Sequence, residues 1–214
     1  MLSHLITKNH AGLMLTGDYW SLKALHEMAH DINERSPLVK NKEGTFLGFA
    51  YDIRKAFEGQ REVIKPPRHA PEFGVRYGVK ILWPTLLLQQ HILRQSLAFL
   101  EHGRRYQALT YALEAAIEEG LMEDFGALGP KIIKAWGRLN GSDPNLVDKL
   151  HGRAGLFCSW SKSQRARGFL ALIESFDPMF ERLYPLQLRN GDKPMLSPAE
   201  FEGWENREWP DPKW

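Results

Sequence analysis

Val75-Arg76-Tyr77-Gly78-Val79-Lys80-Ile81-Leu82-Trp83 runs directly into Pro84-Thr85-Leu86-Leu87-Leu88, and the hydrophobic period changes at the junction. Val75, Tyr77, Val79, Ile81 and Trp83 recur at every second position, which is the repeat of a strand with one buried face. Pro84 suits the first turn of a helix, where its missing N–H has no partner to lose. That helix is expected to reach about His102. Leu86, Leu87, Leu88, Ile92, Leu93, Leu97, Phe99 and Leu100 cover most of its circumference, which places it in the middle of the fold.

Working outward, Leu5 to Asn9 and Leu13 to Thr16 flank Ala11-Gly12 and read as a β-hairpin. A helix follows, capped by Asp18 or Ser21, with Leu22, Leu25, Ala29 and Ile32 on one stripe and Ser36-Pro37 at its end. The next helix carries Phe46, Phe49, Ala50, Ile53 and Phe57 and closes at Gly59. Glu62 to Lys65 reads as a short strand. Beyond the central helix, Arg104 to Glu119 repeats the helical period up to Gly120. Shorter helices are expected at Pro130 to Leu139, Pro144 to His151, Ser161 to Ser175 and Pro178 to Tyr184, with a capping box at Ser197-Pro198-Ala199-Glu200. The sum is an α+β fold, predominantly helical, with a small antiparallel sheet from the N-terminal third.

The 214 residues, 43% hydrophobic and 25% charged, have the make-up of an ordinary globular chain. We expect one α+β domain over residues 1–195 and an acidic, Trp-rich tail over 196–214. The longest apolar run, Ile81 to Leu88, is broken by Pro84 and Thr85, and no charged leader precedes an apolar stretch, so neither a membrane span nor secretion is expected. Cys158 is the single cysteine, which excludes an internal disulfide and fits a cytoplasmic protein. No glycine-rich phosphate loop follows any strand.

One pentapeptide spells a chemistry. His26-Glu27-Met28-Ala29-His30 on a helix puts two imidazoles one turn apart, able to hold zinc, with Glu27 as general base of a metallohydrolase. The helical wheel weakens it: the apolar stripe is centred roughly 95° from His26 and 135° from His30, so one ring borders the core and the other faces solvent. Asp31 follows the second histidine where such hydrolases carry an uncharged residue, and Glu43, Asp52 and Glu58 compete as third ligand. The expectation is therefore no cofactor, with zinc on His26 and His30 as the alternative.

Thr16-Gly17-Asp18-Tyr19-Trp20-Ser21-Leu22, His26-Glu27 and Leu47 to Glu62, with Tyr51-Asp52-Ile53-Arg54 at its centre, resemble an uncharacterised bacterial family, a domain of unknown function. The resemblance is strongest over residues 12–65 and looser to 88. It implies no activity, but directs attention to Asp18, Asp52, Arg54 and Arg61, polar residues among aromatics that could line a cleft between the first two helices. A helix cap at Asp18 and an ion pair at Arg54 are the structural alternative.

Charge is unevenly spread. Lys131 to Arg167 holds eight basic residues against two acidic ones. Within it, Trp160 precedes Lys162, Arg165 and Arg167, an aromatic interleaved with cations as in a groove for RNA or single-stranded DNA. From Pro198 onward the sign reverses, with Phe201, Trp204, Trp209 and Trp214 among five carboxylates. Such a tail could clip a partner protein, but docking on the basic segment is the better expectation, because four large aromatics left in water form a sticky patch. The functional expectation is a non-enzymatic binding module for a protein or nucleic-acid partner, a zinc-dependent hydrolase being the alternative.

Overall fold

The computed structural model describes residues 1–143, 145–205 and 207–214. Four strands, β1 (Ser3–Ile6), β2 (Gly12–Gly17), β3 (Glu62–Ile64) and β4 (Arg76–Leu82), form one sheet in the order β1-β2-β4-β3. β1 and β2 pair antiparallel from Ser3↔Thr16 to Ile6↔Leu13, and β3 and β4 from Glu62↔Gly78 to Ile64↔Arg76. The fold is thus α+β and predominantly helical, with a small antiparallel sheet. β4 is the strand that the alternation announced: Val79 and Ile81 are buried while Lys80 is exposed. Gly78 permits close packing there, since a Cβ would sit 3.1 Å from the Met14 side chain.

The hairpin connection differs from the expected Ala11-Gly12 turn. Lys8–His10 form a short 3-10 turn in which Asn9 and His10 take positive φ of 60° and 52°. Thr7 closes the loop, its hydroxyl donating to the Gly12 carbonyl at 2.7 Å and accepting the Gly12 N–H at 2.9 Å. The side chain reinforces a backbone closure in which the Thr7 N–H donates to the Gly12 carbonyl at 3.3 Å.

By its contacts the chain forms two compact units, one of Met1–Ile6, Leu13–Ile81 and Gln89–Gly120, the other of Thr7–Gly12, Leu82–Leu88 and Leu121–Trp214. In the first, α1 (Tyr19–Arg35) packs against α2 (Thr45–Phe57). Leu22, Leu25, Met28, Ala29 and Ile32 of α1 and Phe46, Phe49, Ala50 and Ile53 of α2 are buried. Gly59, at φ 76°, terminates α2 as a residue without a Cβ can. The central helix α3 (Trp83–Ser96) stops six residues before His102. The Ser96 hydroxyl is tied to that of Ser36 at 2.7 Å, and His102 Nε2 lies 3.0 Å from the Leu97 carbonyl, satisfying a group that a longer helix would have bonded internally.

α4 (Arg104–Phe125) runs through Gly120 instead of closing there. Leu113, Ile117, Leu121 and Phe125, four residues apart and all buried, outweigh the roughly 1 kcal/mol that an interior glycine costs a helix.

The second unit contains α5 (Gly129–Trp136), α6 (Leu146–Ser159), α7 (Lys162–Glu174), α8 (Phe180–Arg189) and α9 (Pro198–Glu202). α6 continues past His151 through Gly152 and Gly155; the expected proline start at Pro144 lies outside the described residues. α8 passes through Pro185 to Arg189. Glu181, whose carbonyl that proline leaves without a helical donor, is exposed and open to water. The core holds Phe125 stacked on Phe169 at 5.0 Å, Phe157 at 5.3 Å from Phe169, and Trp136, whose indole donates to the Leu87 carbonyl at 2.8 Å. The buried Asp124 carboxylate accepts the Trp83 indole N–H at 2.8 Å and, on its other oxygen, meets His10 Nδ1 at 2.8 Å.

Candidate functional site

The residues selected from sequence fall in two places. Asp18 is the N-cap of α1, accepting from the Ser21 N–H at 2.9 Å and the Ser21 hydroxyl at 2.8 Å. Burial works against its ionisation, but the Met1 ammonium and Ser21 outweigh it and hold the carboxyl well below the usual carboxylate range. Asp52 pairs with Arg61 at 2.7 Å, and Arg54 pairs with Glu58 at 3.3 Å while lying 5.3 Å over the Tyr51 ring. Asp18, Asp52 and Arg54 therefore each have their own partner and do not converge on one another.

What α1 and α2 do assemble is a seam of rings. Trp20 meets Tyr19 edge-on at 5.0 Å, Tyr19 meets Phe57 at 5.4 Å, Phe57 meets His26 at 5.8 Å, and His26 meets His30 at 6.0 Å. Lys23 sits 5.7 Å over Trp20. On α1, residues 19, 23, 26 and 30 share one side; α2 contributes Phe57 to the rings, while Tyr51, Arg54 and Glu58 share a side of their own. Trp20 is 71% exposed and Tyr19 38%, so the seam's outer rings stand in solvent with Lys23 over Trp20, and on α2 Tyr51, under Arg54, is 42% exposed. Trp20 and Tyr51 lie within the stretches that carry the family resemblance, and aromatics at exposed helical positions there are the sequence signal for them.

His26 is half-buried, and its Nδ1 donates to the Ala50 carbonyl at 2.9 Å. That leaves Nε2 outward, as in many metal-bound histidines. Yet Glu58 and Asp52 are held by Arg54 and Arg61, and among the described residues no group of three His, Cys, Asp or Glu is placed to hold a metal ion. His30 and Glu27 are exposed, with Lys23 4.0 Å from Glu27. The pentapeptide supplies two imidazoles and no third ligand beside them.

The cations after Trp160 part company. Arg165 is 1% exposed, and its guanidinium donates to the carbonyls of Phe157 (3.0 Å), Cys158 (3.0 Å), Asn9 (3.3 Å) and Pro212 (2.8 Å). Burial lowers its pKa. Lys162 and Arg167 are exposed, and Trp160 lies over Gly168, where a Cβ would come 2.9 Å from its ring. Trp160, Lys162, Arg165 and Arg167 thus present no common surface. Cys158 is buried, and desolvation pushes its thiol up to about 11.

The tail docks on α6. Phe201 covers Gly152, where a Cβ would fall 2.8 Å from the Phe201 carbonyl, and Trp204 and Trp209 cover Gly155. His151 Nδ1 donates to the Trp204 carbonyl at 3.1 Å. Arg153, 3% exposed, lies 4.3 Å over Phe201 and donates to the Ser175 hydroxyl and carbonyl at 2.9 and 2.7 Å; burial pulls its pKa down to about 10.

Among the described residues no helix is long and apolar enough to cross a membrane. A family model described as a domain of unknown function, DUF6904, matches residues 2–177, which include the ring seam and exclude the docked tail. No curated protein and no solved structure gives a significant match.

Proposed function

The chain belongs to the domain-of-unknown-function family DUF6904, and we propose that it is a cytoplasmic, non-enzymatic binding module whose partner is a protein that docks on the α1–α2 ring seam. The observation that carries this reading is the exposure of Trp20 and Tyr19, in edge contact with each other and with Lys23 over Trp20, together with an exposed Tyr51 under Arg54 on α2. Trp, Tyr and Arg dominate the binding energy of protein interfaces, Trp and Tyr because they offer large contact area with few rotatable bonds and one polar handle, Arg through its planar, multiply donating guanidinium. Pre-stacked cations also hold those rings in place before a partner arrives, which lowers the ordering cost of binding. A nucleic-acid partner is supported less well, since Arg165 is buried on backbone carbonyls.

Affinity purification of the full chain beside Trp20→Ala/Tyr51→Ala tests the reading. A stoichiometric protein partner present with the native chain and absent with the double variant is expected; a partner held equally by both overturns it. A chain that retains only polynucleotide, released by salt, would favour the nucleic-acid partner instead. The zinc-hydrolase alternative would be established by stoichiometric zinc that disappears in His30→Ala.

A further inference from the structure

Lys131, Lys134 and Arg138 stand on one side of α5 and the turn after it, at positions i, i+3 and i+7, and line one wall of a cleft of about 430 Å³. Leu139, Ile173 and Phe176, all buried, line it as well, and two carboxylates, Glu174 of α7 and Asp177 just after it, complete the lining. All of these residues belong to the second compact unit. The volume falls within the range of small-molecule sites, whose usual make-up is an apolar lining with a few polar groups.

Local structure does not account for the three cations. Like charges three and four residues apart repel on a helix. The helix dipole favours Lys134 in the last turn of α5, but Lys131 sits in the first turn, where a positive charge is disfavoured. None of the three forms an ion pair among the described residues, although Glu174 lines the same cleft. Three cations without ion pairs, against two carboxylates in the same cleft and beside a buried apolar lining, are complementary to a molecule with an anionic head and an apolar body.

We propose that this cleft is a binding site for a small amphipathic organic anion, its carboxylate, sulfonate or phosphate against Lys131, Lys134 and Arg138 and its apolar body over Leu139, Ile173 and Phe176. The site is distinct from the ring seam on α1 and α2, so either can fail without the other.

The probe is 8-anilinonaphthalene-1-sulfonate, titrated by fluorescence and calorimetry into the full-length chain, with uncharged 1-anilinonaphthalene as control. We expect one saturable site for the sulfonate, weakened about tenfold or more in Lys134→Gln/Arg138→Gln. Glu174→Gln, which removes one of the two carboxylates lining the cleft, should tighten it severalfold. Binding of the uncharged control should change little in either variant. These side chains are exposed, and unchanged circular dichroism and thermal midpoint will verify the fold. Equal affinity of all variants for the sulfonate, or no saturable binding, overturns the proposal. So does a single-stranded oligonucleotide that displaces the sulfonate and binds far more tightly, which would make the wall a polynucleotide surface.

Discussion

On α2, Arg54 lies over a Tyr51 ring that remains exposed and gives its charge to Glu58; on α6, Arg153 lies over a Phe201 ring that is buried and gives its donors to Ser175. The same pair of groups, a guanidinium and an aromatic ring, serves two ends. Around Arg153 the helix is thinned to Gly152 and Gly155, so that the tail's backbone and rings approach until little water remains. Around Arg54 the Tyr51 ring stays 42% exposed. Rings closed over by their own chain act on stability, while rings left open with cations in place are available to something else.

This contrast should appear first in the buried arginines. Arg165→Ala takes a charged donor from four carbonyls, of which that of Phe157 keeps the Trp160 N–H, and hydrogen bonds to a charged group contribute about 1.5–3 kcal/mol each. We expect a loss of about 3 kcal/mol or more in urea unfolding. Arg167→Ala, two residues on and exposed, should stay within about 0.5 kcal/mol of the native chain. Equal effects of the two would remove the distinction between structural and surface cations in this segment.

Next in size is the tail. Phe201→Ala removes a buried ring from Gly152 and Arg153 and should destabilise by about 3 kcal/mol. It should also open the segment after Met195 to proteolysis. A variant as stable and as resistant as the native chain would mean that the tail merely lies on α6.

These two regions were unequally legible in sequence. The α1–α2 pair was readable because period, cap and terminator agreed: Asp18 caps, Ser36-Pro37 stops α1, and Gly59 ends α2. The second half of α6 was not, because Gly152 and Gly155 weaken a helix in isolation and gain their purpose only from Phe201 and Trp204, some fifty residues later. Arg165 was readable as a cation but not as a buried one, since its acceptors at Asn9 and Pro212 lie at opposite ends of the chain. The His10–Asp124 contact left no local trace for the same reason. Of the candidate sites, sequence singled out the polar residues between α1 and α2 but passed over the exposed rings between them. Exposure depends on what packs alongside, and periodicity alone does not report it.

The smallest effects test the open side of the comparison. Asp18→Ala removes the α1 cap and should cost about 1 kcal/mol at neutral pH. Because the folded carboxyl is held below its usual range, its contribution is complete above the unfolded value and fades as pH falls through the folded one. The difference between native and variant chains should therefore shrink in acid. Trp20→Ala, at a site 71% exposed, should change unfolding by no more than about 0.5 kcal/mol, since the ring leaves little apolar surface to re-expose. A ring so indifferent to folding, flanked by Tyr19 and Lys23, is where partner binding should fall most steeply on truncation. If Trp20→Ala instead unfolds the chain as readily as Phe201→Ala, the seam belongs with the tail as packing, and the α1–α2 face loses its claim to a partner.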